Sequence, residues 1–262
     1  MIGKINRLIA QLRQYKALMR ELVVRDLKVK YRRSILGYVW SLLNPLLMMT
    51  VMTVVFSYMF RFDIPNYPLY LICGQTLWTF FNESTSMAMH SVLQNGTLIR
   101  KVYIPKYIFP ISRVLSSFVT TGFSLVAILI VMLVTKVPLS LEMLLIPVPL
   151  LFLLVFCMGM GMILSALSVY FRDIVHLYGV LTMAWMYVTP IFYPISALPE
   201  NVASILNFNP MYHFITFFRE LVLYASIPTA DVWLNCIISS LAVFTAGLLV
   251  FHKLQKNFIL HV

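Results

Sequence analysis

Six apolar stretches of about twenty residues confine this chain to one class of fold. The first, Ser41 to Phe60, runs twenty residues without a charge. That is enough for about 30 Å of helix at about 1.5 Å per residue, the depth of a bilayer core. Five more follow at about 68–90, 108–134, 144–167, 177–194 and 233–251, the second being the weakest because it holds Glu83 and many hydroxyls. With 61% hydrophobic and 11% charged residues, the chain lacks the charge a soluble domain needs to cover its surface. The expected fold is an all-α membrane protein, with an N-terminal amphipathic interface helix over 1–34 and a six-span domain over 35–262.

Charge sets the orientation. Placing successive connections on alternate sides collects seventeen of the twenty lysines and arginines on one side and leaves Arg61, Lys136 and Arg219 on the other. The positive-inside rule makes the crowded side cytoplasmic, both termini included. A net charge of +11 therefore reads as topology and attraction to anionic lipid, and not as a nucleic-acid surface. The charged first forty residues do not read as a cleavable signal peptide. Residues 2–33 place Ile5, Leu8, Ile9, Leu12, Tyr15, Met19, Leu22 and Val23 at helical spacing, a stripe suited to the membrane interface. The helix serves as an orientation anchor or as a docking surface for a cytoplasmic partner.

Residues 195–231 are external in this topology, yet Met211 to Tyr224 is apolar and aromatic and too short to cross. A re-entrant hairpin is expected there, its backbone buried in protein or lining a cavity. It either packs or closes the outer mouth of a pathway. Cys73, Cys157 and Cys236 lie in apolar stretches without a pairing pattern. The chain holds no glycine-lysine phosphate loop, no clustered carboxylates among its nine acids and no histidine pair at helical spacing. Catalysis, a cofactor or a metal in this chain is therefore not expected. Glu83 within a span must face protein or water, or be protonated, in a structural or a transport role. Arg113 is expected to snorkel to the cytoplasmic surface. Gly161 with Ser165, and Ala242 with Ala246, offer close helix contacts at four-residue spacing. The aromatics Tyr178, Trp185, Tyr187, Phe192 and Tyr193 suit an interface belt, or flat apolar faces for sugar C–H groups.

The run Lys30-Tyr31-Arg32-Arg33-Ser34-Ile35-Leu36-Gly37-Tyr38-Val39-Trp40-Ser41-Leu42-Leu43-Asn44-Pro45 resembles the lead-in to the first span of permease subunits of bacterial type-2 ABC exporters for cell-surface polysaccharides. Leu98-Ile99-Arg100-Lys101-Val102-Tyr103-Ile104-Pro105-Lys106, Tyr170-Phe171-Arg172-Asp173-Ile174, Thr189 to Pro194, and Asn209-Pro210-Met211 with Arg219 beyond agree in order and spacing. The resemblance implies a multi-pass homodimer in the bacterial cytoplasmic (inner) membrane, working with two copies of a separate ATPase that holds ATP and magnesium. Its cargo would be an undecaprenyl-linked glycan such as O-antigen, capsule or teichoic acid. The loop around Leu98, Arg100, Lys101, Tyr103 and Lys106 would be the coupling helix, or would hold to the lipid surface. Arg172 and Asp173 would meet the motor or pair with each other. The first and fifth spans line the path in that family, which implies lining roles for Trp40, Tyr58, Trp185, Tyr187 and Tyr193. Arg32 and Arg33 would meet the lipid pyrophosphate or serve orientation alone. The alternatives are an exporter of the same type for another lipid or a drug, a polyprenyl-lipid-modifying enzyme, and a secondary carrier. The last two lack the expected carboxylates or repeated halves.

Overall fold

The computed structural model of the chain describes residues 14–30, 32, 36–59 and 64–258, without the side chains of 57–59, 200, 202 and 203. Its regular elements are all helical, with no strand among the described residues. They are α1 (Lys16–Lys30), α2 (Val39–Met59), α3 (Tyr67–Gln94), α4 (Gly96–Lys101), α5 (Ile108–Thr135), α6 (Pro147–Tyr170), α7 (Ile174–Val188), α8 (Glu200–Leu206), α9 (Pro210–Val222) and α10 (Ala230–Leu254), with short 3-10 turns between and after them.

Four stretches are long and apolar enough to cross a membrane: Val39–Phe56, Ile108–Thr135, Leu141–Tyr170 and Ala230–Asn257. They match the first, third, fourth and sixth of the expected spans. The other two differ from them for separate physical reasons. α3 is long but rich in hydroxyls because it is the innermost helix, flanked by α2, α5, α6 and α9. Ser84 and Thr85 donate to the Phe81 carbonyl, so their polar groups are satisfied inside the protein. A helix that faces protein needs no uniformly apolar surface. α7 is apolar but spans only 15 residues, about 22 Å of helix. Pro190 ends it, since proline has no amide hydrogen and forces the preceding Thr189 into an extended conformation (φ −80°, ψ 131°). The stretch expected as one span over 177–194 is therefore a helix to Val188 followed by a non-helical segment.

α10 packs along α6 with backbone against backbone. A Cβ added to Gly159 would lie 2.5 Å from the Val243 carbonyl oxygen, and one on Gly247 would strike the Gly159 carbonyl. Gly161 meets Ala88 of α3 and Ser165 is fully buried, as their spacing suggested. Ala242 and Ala246 instead lie on the exposed face of α10. Hydroxyls bridge the helices: Ser168 donates to the Met89 carbonyl at 2.7 Å and Ser240 to that of Phe152 at 2.8 Å. Each such bond contributes about 0.6 kcal/mol.

The core has a large central cluster among α3, α5, α6 and α9, and a second at the end that carries α1 and α4. That second end also holds Arg100, Lys101, Arg172 and Lys253 and is called the basic end below. α1 lies against α5, with Leu22 buried and Tyr15 and Met19 packed into the second cluster. Over the described part of that helix, Tyr15, Met19 and Leu22 of the expected stripe face the protein. Residues 1–13, Arg33 and the side chain of Tyr58 lie outside the described residues.

Candidate functional site

At the basic end, two connections present similar surfaces. α4 is a six-residue helix whose Ile99 is buried and whose Leu98 packs partly into the second cluster. With those two side chains turned inward, Arg100 and Lys101 are exposed, and Tyr103 just beyond is 94% exposed. The α6–α7 connection offers Phe171, 63% exposed, followed by exposed Arg172 and Asp173. Arg172 and Asp173 make no ion pair with each other. Ile99, Phe109, Val169 and Phe258 lie under both connections in one cluster, so the loops share a foundation. Each connection thus sets an exposed aromatic ring beside a cation, a composition compatible with contact to another protein. Lys106 has a different role. Its ammonium donates to the Gln255 carbonyl at 2.7 Å and sits 5.5 Å over the Phe258 ring, tying the end of α10 to this region. Burial there draws its pKa below the usual lysine range.

Beneath α4 lies a polar network that joins three elements. Asp26 of α1 is 6% exposed. Arg113 of α5 pairs with it at 3.0 Å, Arg25 at 3.3 Å, and the Ser116 hydroxyl donates to it at 3.2 Å. Arg113 also donates to Gln94 at 2.9 Å, and Arg25 to Asn95 at 3.4 Å, the residue that begins α4. Arg113, expected to snorkel to the cytoplasmic surface, instead turns its guanidinium into this network, because a buried carboxylate needs a cation. The signal was present in the sequence. Asp26 falls four residues after Leu22 on the apolar stripe, where an acid calls for a partner.

The residues assigned to a pathway do not share one surface. Trp185 turns into the bundle, donating to Asn209 at 2.8 Å and packing edge-on against Phe81 at 5.1 Å. Tyr187 points outward, 63% exposed, on the face of α7 that also carries exposed Val180 and Met183. The Tyr193 hydroxyl donates back to the carbonyls of Tyr187 and Val188, capping α7. Trp40 lies at the start of α2 beside a cleft, near the ion pair between Lys30 and Glu83. That pair gives Glu83, the acid within α3, its partner. Arg32 is exposed.

At the opposite end, the segment after α7 leaves carbonyls that no helix satisfies. Arg219 of α9, 5% exposed, supplies the donors. It donates to the Pro190 carbonyl at 2.8 Å, to Ile191 at 2.9 Å and to Tyr70 at 3.1 and 3.2 Å, and lies 3.4 Å over the Tyr70 ring. The Tyr67 and Tyr70 hydroxyls donate to the carbonyls of Phe192 and Tyr193. Gly74 leaves the room, for a Cβ there would sit 2.6 Å from the guanidinium. Asn209 fixes the start of α9 by accepting from the Met211 amide while donating to Thr189. The guanidinium therefore lies just past the C-terminus of α7, where a helix dipole favours a cation. It brings Thr189-Pro190, Asn209-Pro210 and Arg219, far apart in sequence, into one structural unit.

The sequence model of the ABC-2 type transporter family matches residues 17–223. The chain is 30% identical to the O-antigen export system permease protein RfbA of Myxococcus xanthus over 96% of its length and 98% of that protein. A Klebsiella pneumoniae protein of the same name is 31% identical over 89% and 90% of the two chains. The capsule polysaccharide export inner-membrane protein CtrC of Neisseria meningitidis is 21% identical over 90% of each.

Proposed function

Because the chain belongs to the ABC-2 type transporter family, we propose that it is the membrane subunit of an ATP-driven exporter that moves an undecaprenyl-linked cell-surface polysaccharide outward across the cytoplasmic membrane. The observation that carries this reading is the similarity to O-antigen export permeases over nearly the whole of both chains. In this reading six segments cross the bilayer: α2, α3, α5, α6, α7 with its non-helical extension, and α10, with both termini cytoplasmic. Two copies of the chain form the conduit. Two copies of a separate ATPase, which bind ATP and magnesium, seat against α4 and the Phe171–Asp173 connection.

The geometry supports a mechanical role for each part. ATP-driven closure of the motors would push on Tyr103 and Phe171. The Asp26–Arg113 network would carry that push from α4 into α1 and the start of α5 as one body, a rigid-body shift of the kind packed helices favour. The outward face of α7, with Tyr187, would meet the second copy or the cargo.

The test is complementation. In a strain deleted for its own polysaccharide exporter, this chain and its partner ATPase are expected to restore surface glycan in an ATPase-dependent way. An assembled, membrane-inserted complex that hydrolyses ATP while all glycan stays inside the cell would overturn the reading.

A further inference from the structure

Between α2, α3 and α5 the structure holds the cleft of about 230 Å³ beside which Trp40 stands. Its lining includes Gln75, Thr76, Thr79 and Glu83 from one polar strip of α3, with Lys30 and Trp40 at its basic end. Thr76 is 3% exposed, and its hydroxyl has no hydrogen-bond partner. The Gln75 side-chain oxygen is likewise buried without one. Two orphaned polar atoms in a membrane-embedded cleft are costly unless something polar meets them.

Resting on the glycan-export reading, we propose that this cleft is a subsite for one sugar ring of the cargo's head. The chemistry of the lining matches a pyranose group by group. The Gln75 oxygen and the Glu83 carboxylate accept from sugar hydroxyls, the Thr76 hydroxyl donates or accepts, and the Lys30 ammonium donates. Trp40, 44% exposed, offers an apolar face to the ring's C–H side. A phosphate is disfavoured, since the Lys30 charge is already matched by Glu83 and the Gln75 oxygen would repel an anion. An acyl chain would leave every one of these polar groups unmet. The cleft is also smaller than the roughly 300–1,000 Å³ of a site for a drug-sized ligand, so one ring is the scale it takes.

The experiment uses the complex of this chain with its ATPase in lipid nanodiscs. Two probes are compared: undecaprenyl pyrophosphate bearing a single N-acetylglucosamine, and the same lipid without sugar. Wild type is expected to bind the sugar-bearing lipid about tenfold more tightly, the scale of one or two net hydrogen bonds. Thr76→Val and Gln75→Leu should erase most of that preference, while Thr76→Ser keeps it. Thr76→Val should also unfold at the same or a higher temperature than wild type, because it removes an unpartnered buried hydroxyl. A lower unfolding temperature with the preference intact would mean a structural role and overturn the proposal. Equal weakening for both lipids would assign the cleft to phosphate and overturn it as well. Export of the native glycan is measured with the same variants and the same ATPase reconstituted into sealed proteoliposomes. A wild type that exports, beside a Thr76→Val variant that still discriminates, removes the cleft proposal alone. A wild type that discriminates but exports nothing removes the export reading and leaves the sugar site.

Discussion

Two buried charges do different jobs at the two ends of this molecule. Arg219 has no carboxylate within ion-pair distance among the described residues and is held by carbonyl oxygens instead. Lysine has the charge but not the planar fork that reaches three carbonyls at once. Arg219→Lys is expected to lower stability by about 2 to 3 kcal/mol and Arg219→Met by more, read as a fall in the detergent unfolding temperature. Unchanged melting in both would remove the latch. Asp26→Asn should cost about 2 kcal/mol, less than the roughly 3 to 5 of a fully buried pair, because Arg113 keeps part of its surface. The double variant Asp26→Asn with Arg113→Met should recover part of that loss, since the stranded cation is gone. Neither role could be read from residue type alone. Arg219 stood among external positives and Arg113 among cytoplasmic ones, and only the neighbours around each show which groups they satisfy.

At the scale of elements, the crossing of α6 and α10 and the projection of α4 lead to opposite kinds of sensitivity. Gly159→Ala puts a methyl against the Val243 backbone and should destabilise by about 1 to 3 kcal/mol. Gly122→Ala on α5, where an added Cβ meets nothing within 4 Å, should stabilise by up to about 1 kcal/mol through helix propensity. Thermal unfolding of the pair separates close packing from a general intolerance of substitution. Tyr103→Ala should leave melting untouched, since the ring is in solvent, and weaken ATPase binding about tenfold or more, as loss of an aromatic anchor does. Co-purification at normal yield would take Tyr103 out of the docking surface. The element boundaries were legible wherever a helix faces lipid, because apolar length reports them directly. They were less so for α3, whose hydroxyls serve protein contacts, and for α7, which Pro190 ends six residues before the apolar stretch does.

For the whole molecule, the proposed orientation places the two ends in different compartments. The three native cysteines are buried, so a single added thiol can be followed. In intact cells a membrane-impermeant maleimide should label Ser226→Cys and spare Tyr103→Cys until the membrane is opened. The reverse pattern would place the docking loops outside and remove the ATPase from them. One face of α2 packs half-buried on the core through Leu42, Leu46, Met49, Met52 and Phe56, while Leu47, Met48, Val51, Val54 and Val55 stand exposed on the other, which is left to lipid or to a second copy. Disulfide cross-linking between copies along α2 is the direct measure of how much of it the partner covers.

Composition and spacing alone were enough for an all-helical membrane protein, for its longest helices and for the crowding of cations at one end. Those features follow from the cost of placing charge and unpaired backbone in hydrocarbon, a constraint every residue obeys independently of its distant neighbours. The Asp26–Arg113 junction, the carbonyl cradle of Arg219, the sorting of Trp185 inward and Tyr187 outward, and the polar cleft beside α3 were settled by the tertiary fold. Each depends on groups tens of residues apart meeting within a few ångströms, and periodicity along one helix carries no record of which partner lies opposite.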